Sequence, residues 1–182
     1  AVQPNTPPIA TAIYRINAPG DGQTSRIDGT TCTAPSQGNQ GVFAGSANPT
    51  PGSETVGLLR ADSFTAGQPI AFGVNSPAEN LDPNARDSFE VTVRTDNGDL
   101  ETLRLREDAN NSGFFVGYLP TMRIPPALAQ NDCRLSVEAG RALQVTLSRN
   151  GTTDVLATAN VSFLVDPFGI VFDSGDGAAV PG

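Results

Sequence analysis

The stretch ENLDPNARD sets three carboxylates, Glu79, Asp82 and Asp87, within one short segment. Calcium takes several oxygen ligands at ~2.3–2.6 Å, and loops at the ends of β-sandwiches supply such groups. These three acids are therefore the candidate calcium ligands, and calcium is the only cofactor the sequence suggests. The EF-hand spacing is absent, however, and Asp-Pro beside Asn is ordinary turn chemistry. The clump reads as a turn first and a metal site second. Arg86 stands among the acids, placed to neutralise one of them.

Other reactive chemistry is sparse. All 11 basic residues are Arg; His and Lys are both missing. Without His there is no Ser-His-Asp or Cys-His nucleophile system and no imidazole metal ligand. Without Lys there is no Schiff base and no phosphate-loop lysine. Carboxylate-pair hydrolysis is what remains, and it needs two acids ~5–10 Å apart in a cleft, whereas the acids here cluster in turns. No catalytic residue is assigned, and the chain reads as not an enzyme. With 19 acids against 11 bases, the net charge of -8 leaves nothing to neutralise a run of phosphates, which argues against nucleic acid as a partner.

Two cysteines, Cys32 and Cys133, lie too far apart for a CxxC redox or zinc pattern. In a Thr/Ser/Asn-rich chain of low charge, the expected state is a disulfide, formed in an oxidising compartment outside the cell. Closing a loop of ~100 residues would stabilise the fold by roughly 4–5 kcal/mol on the chain-entropy account. No apolar run approaches the ~20 residues of a helical membrane span, and no signal peptide is visible, as in a mature or excised chain.

These residues must be positioned by short strands. Gly (19) and Pro (15) punctuate the 182 residues heavily, and nowhere does a helical period persist. PPIATAIYRI (7–16) predicts a first strand after a loose start, and residues 17–23 a turn. Residues 29–53 predict a long polar loop carrying Cys32, pinned by the disulfide. TVGLLR (55–60) and QPIAFGVN (68–75) predict two more strands. DSFEVTVRT (87–95) alternates Phe89, Val91 and Val93 against Glu90, Thr92 and Arg94, then an Asn-Gly turn leads into ETLRLRE (101–107), the signature of a hairpin. In this reading Arg94 pairs across the hairpin with Glu101 or Glu107, while Asp96 and Asp99 flank the turn in solvent. FFVGYLP (114–120) is a buried strand, and IPPALAQNDC (124–133) a Pro-broken connection with room for one helical turn. A second hairpin joins 141–149 to 152–165, where Val155, Ala157, Ala159, Val161, Phe163 and Val165 share one face. GIVF (169–172) gives a last strand before a Gly-rich tail, in which Asp173 and Asp176 read as linker. The fold class is all-β, an antiparallel sandwich with long loops. One domain fits best, with residues 1–54 as terminal strand and pinned loop, 55–168 as sandwich core and 169–182 as terminal strand and linker.

Residues 78–120, AENLDPNARDSFEVTVRTDNGDLETLRLREDANNSGFFVGYLP, resemble a repeat module of large bacterial surface and secreted proteins. In that family an acidic NLDP precedes a hairpin of the type VTVTSxxGDxETVTLTET, followed by NTGVFxGxLP. The tail VFDSGDGAAVPG (171–182) is similar to the opening of a carboxypeptidase-regulatory or prealbumin-like module. The resemblance implies an immunoglobulin-like sandwich with a spacer, adhesive or fibre-building role. It carries over no catalytic residue. The Cys pair and the long loop depart from the simple repeat.

The expectation is thus a structural or interaction module at the cell surface or outside the cell, whose partners are neighbouring modules or identical subunits. Ile9, Ala10, Ala12, Ile13 and Tyr14 form an uncharged run suited to pairing with another subunit's sheet edge. The other reading is a ligand-binding module, for carbohydrate or for calcium-dependent adhesion. Carbohydrate modules usually present exposed Trp or Tyr, and here only Tyr14 and Tyr118 exist. Asn110, Asn150 and Asn160 match the N-x-S/T acceptor pattern, informative only in a host with the glycosylation machinery.

Overall fold

In the computed structural model, which describes residues 11–28, 32, 53–124 and 128–165, alternating segments form strands. Twelve are described: β1 (Thr11–Asn17), β2 (Gln23–Asp28), β3 (Ser53–Arg60), β4 (Ser63–Thr65), β5 (Ile70–Asn75), β6 (Ser88–Thr95), β7 (Leu100–Glu107), β8 (Phe114–Leu119), β9 (Thr121–Arg123), β10 (Leu135–Val137), β11 (Ala142–Arg149) and β12 (Val155–Leu164). A single 3-10 turn at Pro77–Glu79 is the only helical element among the described residues. The chain is an all-β sandwich.

Ten strands join in one sheet of order β2-β3-β1-β5-β8-β7-β6-β11-β12-β4, antiparallel throughout except where β4 lies parallel to β12. The sheet folds where β7 meets β8, a seam paired only at Arg106↔Val116 and Glu107↔Phe115. One half therefore faces the other. Ile13, Phe72, Phe115 and Leu119 pack into the same core as Val91, Val93, Leu103, Leu105, Val145, Leu147, Val161 and Phe163. Fully burying each such side chain stabilises by about 1.5–3 kcal/mol. The predicted 87–107 hairpin is β6–β7, running in register from Ser88↔Arg106 to Arg94↔Leu100.

A second core lies on the other face of β1, β5 and β8. There Tyr14, Ala71, Phe114, Val116 and Tyr118 pack with Ile27, Val56 and Leu58 from β2 and β3. Strands β5 and β8 are thus buried on both faces, as their unbroken apolar runs require. Gly73 is the close-approach point of this core. A Cβ there would stand 2.5 Å from the Phe114 ring and 2.7 Å from that of Tyr14.

Three expectations change. The sequence reading gives residues 23–28 no strand, yet β2 forms there and β3 begins at Ser53, while the long loop expected at 29–53 lies outside the described residues except for Cys32 and Ser53. Among the residues of β2, only Ser25 and Ile27 are buried, which is too little apolar signal to read. On β12 the shared face does not include Val155 or Val165, which are 55% and 65% exposed; Leu156 is buried instead. For Val155 the cause is a register shift, because Leu147 pairs with Ala157 but Ser148 with Val155, leaving Leu156 as the extra residue of a bulge; Val165 lies beyond the end of β12 at Leu164. Finally, the described part of the 124–133 connection holds no helical turn; it leads into β10, which pairs in parallel with β9.

Candidate functional site

The acidic clump sits between the 3-10 turn and β6, and each of its acids has separate work. One carboxylate oxygen of Asp87, Oδ2, accepts the backbone N–H groups of Leu81 and Asp82 at 2.6 and 2.8 Å. Oδ1 of Asp82 accepts from the N–H of Asn84 at 2.9 Å, an Asx turn. Glu79 points away to an ion pair with Arg149, whose guanidinium also lies 5.5 Å from the Phe89 ring centre. The fold brings Asp82 and Asp87 into one loop and draws Glu79 to the β11 end. Among the described residues, no group of three or more potential ligands is placed to hold a metal ion.

Arg86 does not neutralise the clump. Its side chain is only 6% exposed and pairs with Asp28 of β2 at 3.1 Å, while its Nε donates to the carbonyl of Glu107. Arg106 meets the other oxygen of Asp28 at 3.2 Å. Asp28 therefore anchors the edge strand β2 to the β6–β7 hairpin through two arginines. Glu107 completes the arrangement from inside. Its carboxylate accepts the N–H of Asp87 at 2.9 Å and that of Gly113 at 2.7 Å.

The opposite end of the hairpin holds the second cluster, around the disulfide. Cys32 and Cys133 are bonded, with Cα atoms 5.6 Å apart, and Cys32 pairs as an isolated bridge with Leu103. Asp99 and Glu101 are both fully buried beneath the connection that carries Cys133. Asp99 Oδ2 accepts the N–H of Ser136 at 2.6 Å; Glu101 accepts those of Cys133 at 2.9 Å and Asp132 at 3.2 Å. Asn97 donates to the Ser136 carbonyl at 2.9 Å, and the N–H of Asn131 to that of Leu100 at 2.9 Å. Burial raises the carboxyl of Asp99, against the pull of its backbone donors. Burial likewise pushes Glu101 from 4.5 up to about 8, with the charges of Asp99 and Asp132 adding to the rise.

Two neighbouring carboxyls with raised pKa values are what acid–base catalysis would want. Here both are enclosed and bonded to backbone amides. The nearby surface depression is lined by Asp96, Asn97, Glu138, Arg141 and Phe163, not by Asp99 or Glu101. What the pair does is accept N–H groups from the irregular connection that carries Cys133 and, at Ser136, from β10.

The sequence expectation sets Asp99 in solvent and pairs Arg94 with Glu101 or Glu107. All three acids are buried, and Arg94 lies on the opposite face, paired in register with Leu100 and Thr146. The signal was available for two of them. Glu101, Leu103, Leu105 and Glu107 alternate on one face of β7.

Of the proposed intersubunit run, Ile9 and Ala10 lie outside the described residues, as does the GIVF strand. Ala12 pairs in register with Gly73; Ile13 and Tyr14 are buried, one in each core. Tyr118 is buried as well, its hydroxyl pushed up by desolvation, so neither tyrosine offers an exposed platform. A polar depression outside β6 and β7 is lined by Thr92, Arg94, Thr102, Ser148 and Asn150, without an aromatic ring.

Among the described residues, no helix is long and apolar enough to cross a membrane. No family model matches the chain, and no curated protein matches it.

Proposed function

We propose that this chain is a non-catalytic structural and interaction module of a bacterial extracellular or cell-surface protein, one section of a chain that builds fibres by strand addition between copies. The observation that carries the reading is the use made of the buried acids. Asp99, Glu101 and Glu107 bond to backbone amides of the segments packed against the two ends of one hairpin, Ser136 of β10, Cys133 and Gly113. All three are fully buried, which supports a structural rather than a catalytic use of these carboxyls. The buried disulfide supports an oxidising compartment. The placement of both tyrosines inside weighs against a carbohydrate platform.

The test is electron microscopy of oxidised protein over a range of concentrations. Filaments or strings of regularly spaced modules are expected. A strictly monomeric chain at high concentration would overturn the fibre-building role. A hydrolytic activity abolished by both Asp99→Asn and Glu101→Gln in folded protein would overturn the non-catalytic one.

A further inference from the structure

We infer that β1 is a transferable strand, and that Thr11–Asn17 of one chain can occupy the position between β3 and β5 of a second copy. This rests on the fibre-building reading and names its joint.

Although it is the first described strand, β1 lies inside the sheet. Its N-terminal half pairs with β5, from Thr11↔Val74 to Tyr14↔Ala71, and its C-terminal half with β3, from Tyr14↔Arg60 to Asn17↔Gly57. A single turn, residues 18–22, joins it to the rest of the described chain. The slot it fills is specific. Tyr14 meets Phe114 edge to face at 6.2 Å, in space that exists because residue 73 is glycine. Ile13 enters the main core beside it. Arg15 reaches from the same strand to the carbonyl of Ser63 and lies 5.7 Å from the Phe64 ring centre. Slipping β1 by one residue would exchange the two faces and lose all three contacts.

A strand from a second copy would make every one of these contacts unchanged. Only the hinge and the concentration then decide which copy supplies it. The hinge is short and close-pressed, which favours exchange. Gly20 and Gly22 adopt φ of +96° and +90°. A Cβ on Gly57 of β3 would fall 2.1 Å from the carbonyl oxygen of Asp21 and 2.5 Å from that of Ala18, so the turn lies directly against the strand. Against this, a short tether holds β1 at an effective concentration in the millimolar range. Transfer is therefore expected where copies are crowded, as along a fibre.

Arg15 and Leu59 are register partners, and Leu59 is 43% exposed. Full-length Arg15→Cys and Leu59→Cys proteins, each with the native disulfide intact, are mixed at high concentration in a thiol–disulfide buffer. Non-reducing electrophoresis and mass spectrometry then follow the 15–59 cross-link. A disulfide between residues 15 and 59 of different chains is the expected result. Gly20→Ala in both chains should raise its yield about tenfold, because Ala disfavours a positive φ in the closed turn while nothing lies within 4 Å of its Cβ. The double variant, Arg15→Cys with Leu59→Cys in one chain, establishes that the pair can close. If it closes only within its own chain and the mixture gives no 15–59 cross-link, strand transfer is wrong. Filaments seen by microscopy without that cross-link would leave the fibre reading standing and overturn β1 as the joint. Neither filaments nor cross-link would overturn both. A cross-link whose yield ignores Gly20→Ala would remove the hinge from the proposal.

Discussion

Replacing Glu101 by Gln should change how stability depends on pH more than it changes stability itself. The carboxyl is fully buried, and burial raises it from 4.5 to about 8. A folded-state pKa above the unfolded value means that the native state binds the proton more tightly. The stability linked to that proton is fully present below pH 4.5 and is lost as pH rises through about 8. At about 1.4 kcal/mol per unit, the loss is bounded at ~5 kcal/mol, and water reaching the site would reduce it. Asp99 adds to the same trend, since its carboxyl is raised by burial too. Gln keeps one carbonyl acceptor for the N–H of Cys133 or Asp132 but turns an NH2 toward the other, at a cost of about 1–3 kcal/mol for the unmet donor. The assay is urea unfolding at half-unit steps from pH 5 to pH 9 with the disulfide intact. The wild type should lose stability steadily over that range. Glu101→Gln should start lower, fall less steeply, and cross the wild-type curve on the alkaline side. A wild-type curve that is flat or rises between pH 5 and pH 8 would refute the argument. So would a variant as steep as the wild type, because the titrating group would then lie elsewhere.

Reducing the Cys32–Cys133 bond should lower unfolding free energy by up to roughly 4–5 kcal/mol, since the bond spans 101 residues; paired denaturation curves with and without reductant measure this. Arg86→Ala should cost about 1–3 kcal/mol, because it removes a buried charge-assisted hydrogen-bond donor while Asp28 keeps Arg106, whereas Arg106→Ala, 43% exposed, should cost about 1 kcal/mol or less in the same experiment. Calcium and chelator should leave the melting curve unchanged, as Asp87 is occupied by two amides and Glu79 by Arg149; a melting temperature raised by calcium and lowered by chelator would restore the metal reading. Gly73→Ala should destabilise by about 1–3 kcal/mol by driving a methyl into the rings of Tyr14 and Phe114, with near-ultraviolet circular dichroism reporting the displaced tyrosine.

Sequence patterning carried the fold wherever one strand face is apolar and the other polar. The β6–β7 and β11–β12 hairpins follow from alternation around Asn97-Gly98 and Asn150-Gly151, and the disulfide from composition and spacing. Patterning failed for β2, where two buried side chains suffice because Asp28 binds the strand through Arg86 and Arg106. It also failed at the β12 bulge, because one extra residue reverses parity locally while the residue types stay the same. The partners of Asp82 and Asp87 were legible as turn chemistry. The pairing of Glu79 with Arg149 was not, since it joins positions 70 residues apart.

The inward acids show what alternation alone can and cannot give. On β7 the buried positions run Glu101, Leu103, Leu105, Glu107, so parity assigns both glutamates to the core side. Charge argues for solvent, and the two signals conflict. Parity prevails because each glutamate lies at a strand end, where the core gives way to a loop whose N–H groups lack ladder partners. Glu101 and Glu107 are six residues apart, roughly 20 Å along an extended strand. At one end the acceptor is needed by Cys133 and Asp132; at the other it is needed by Asp87 and Gly113. Leaving such donors unmet would cost about 1–3 kcal/mol apiece, which outweighs a preference for hydration at a site already walled by Leu103 and Leu105. An acidic residue keeping the inward parity of a strand, next to an irregular loop, is therefore better read as an acceptor for that loop than as a surface charge or a catalytic group. By that reasoning the β6–β7 hairpin is the frame of the fold, tying the acidic loop and β2 at one end and the disulfide connection at the other.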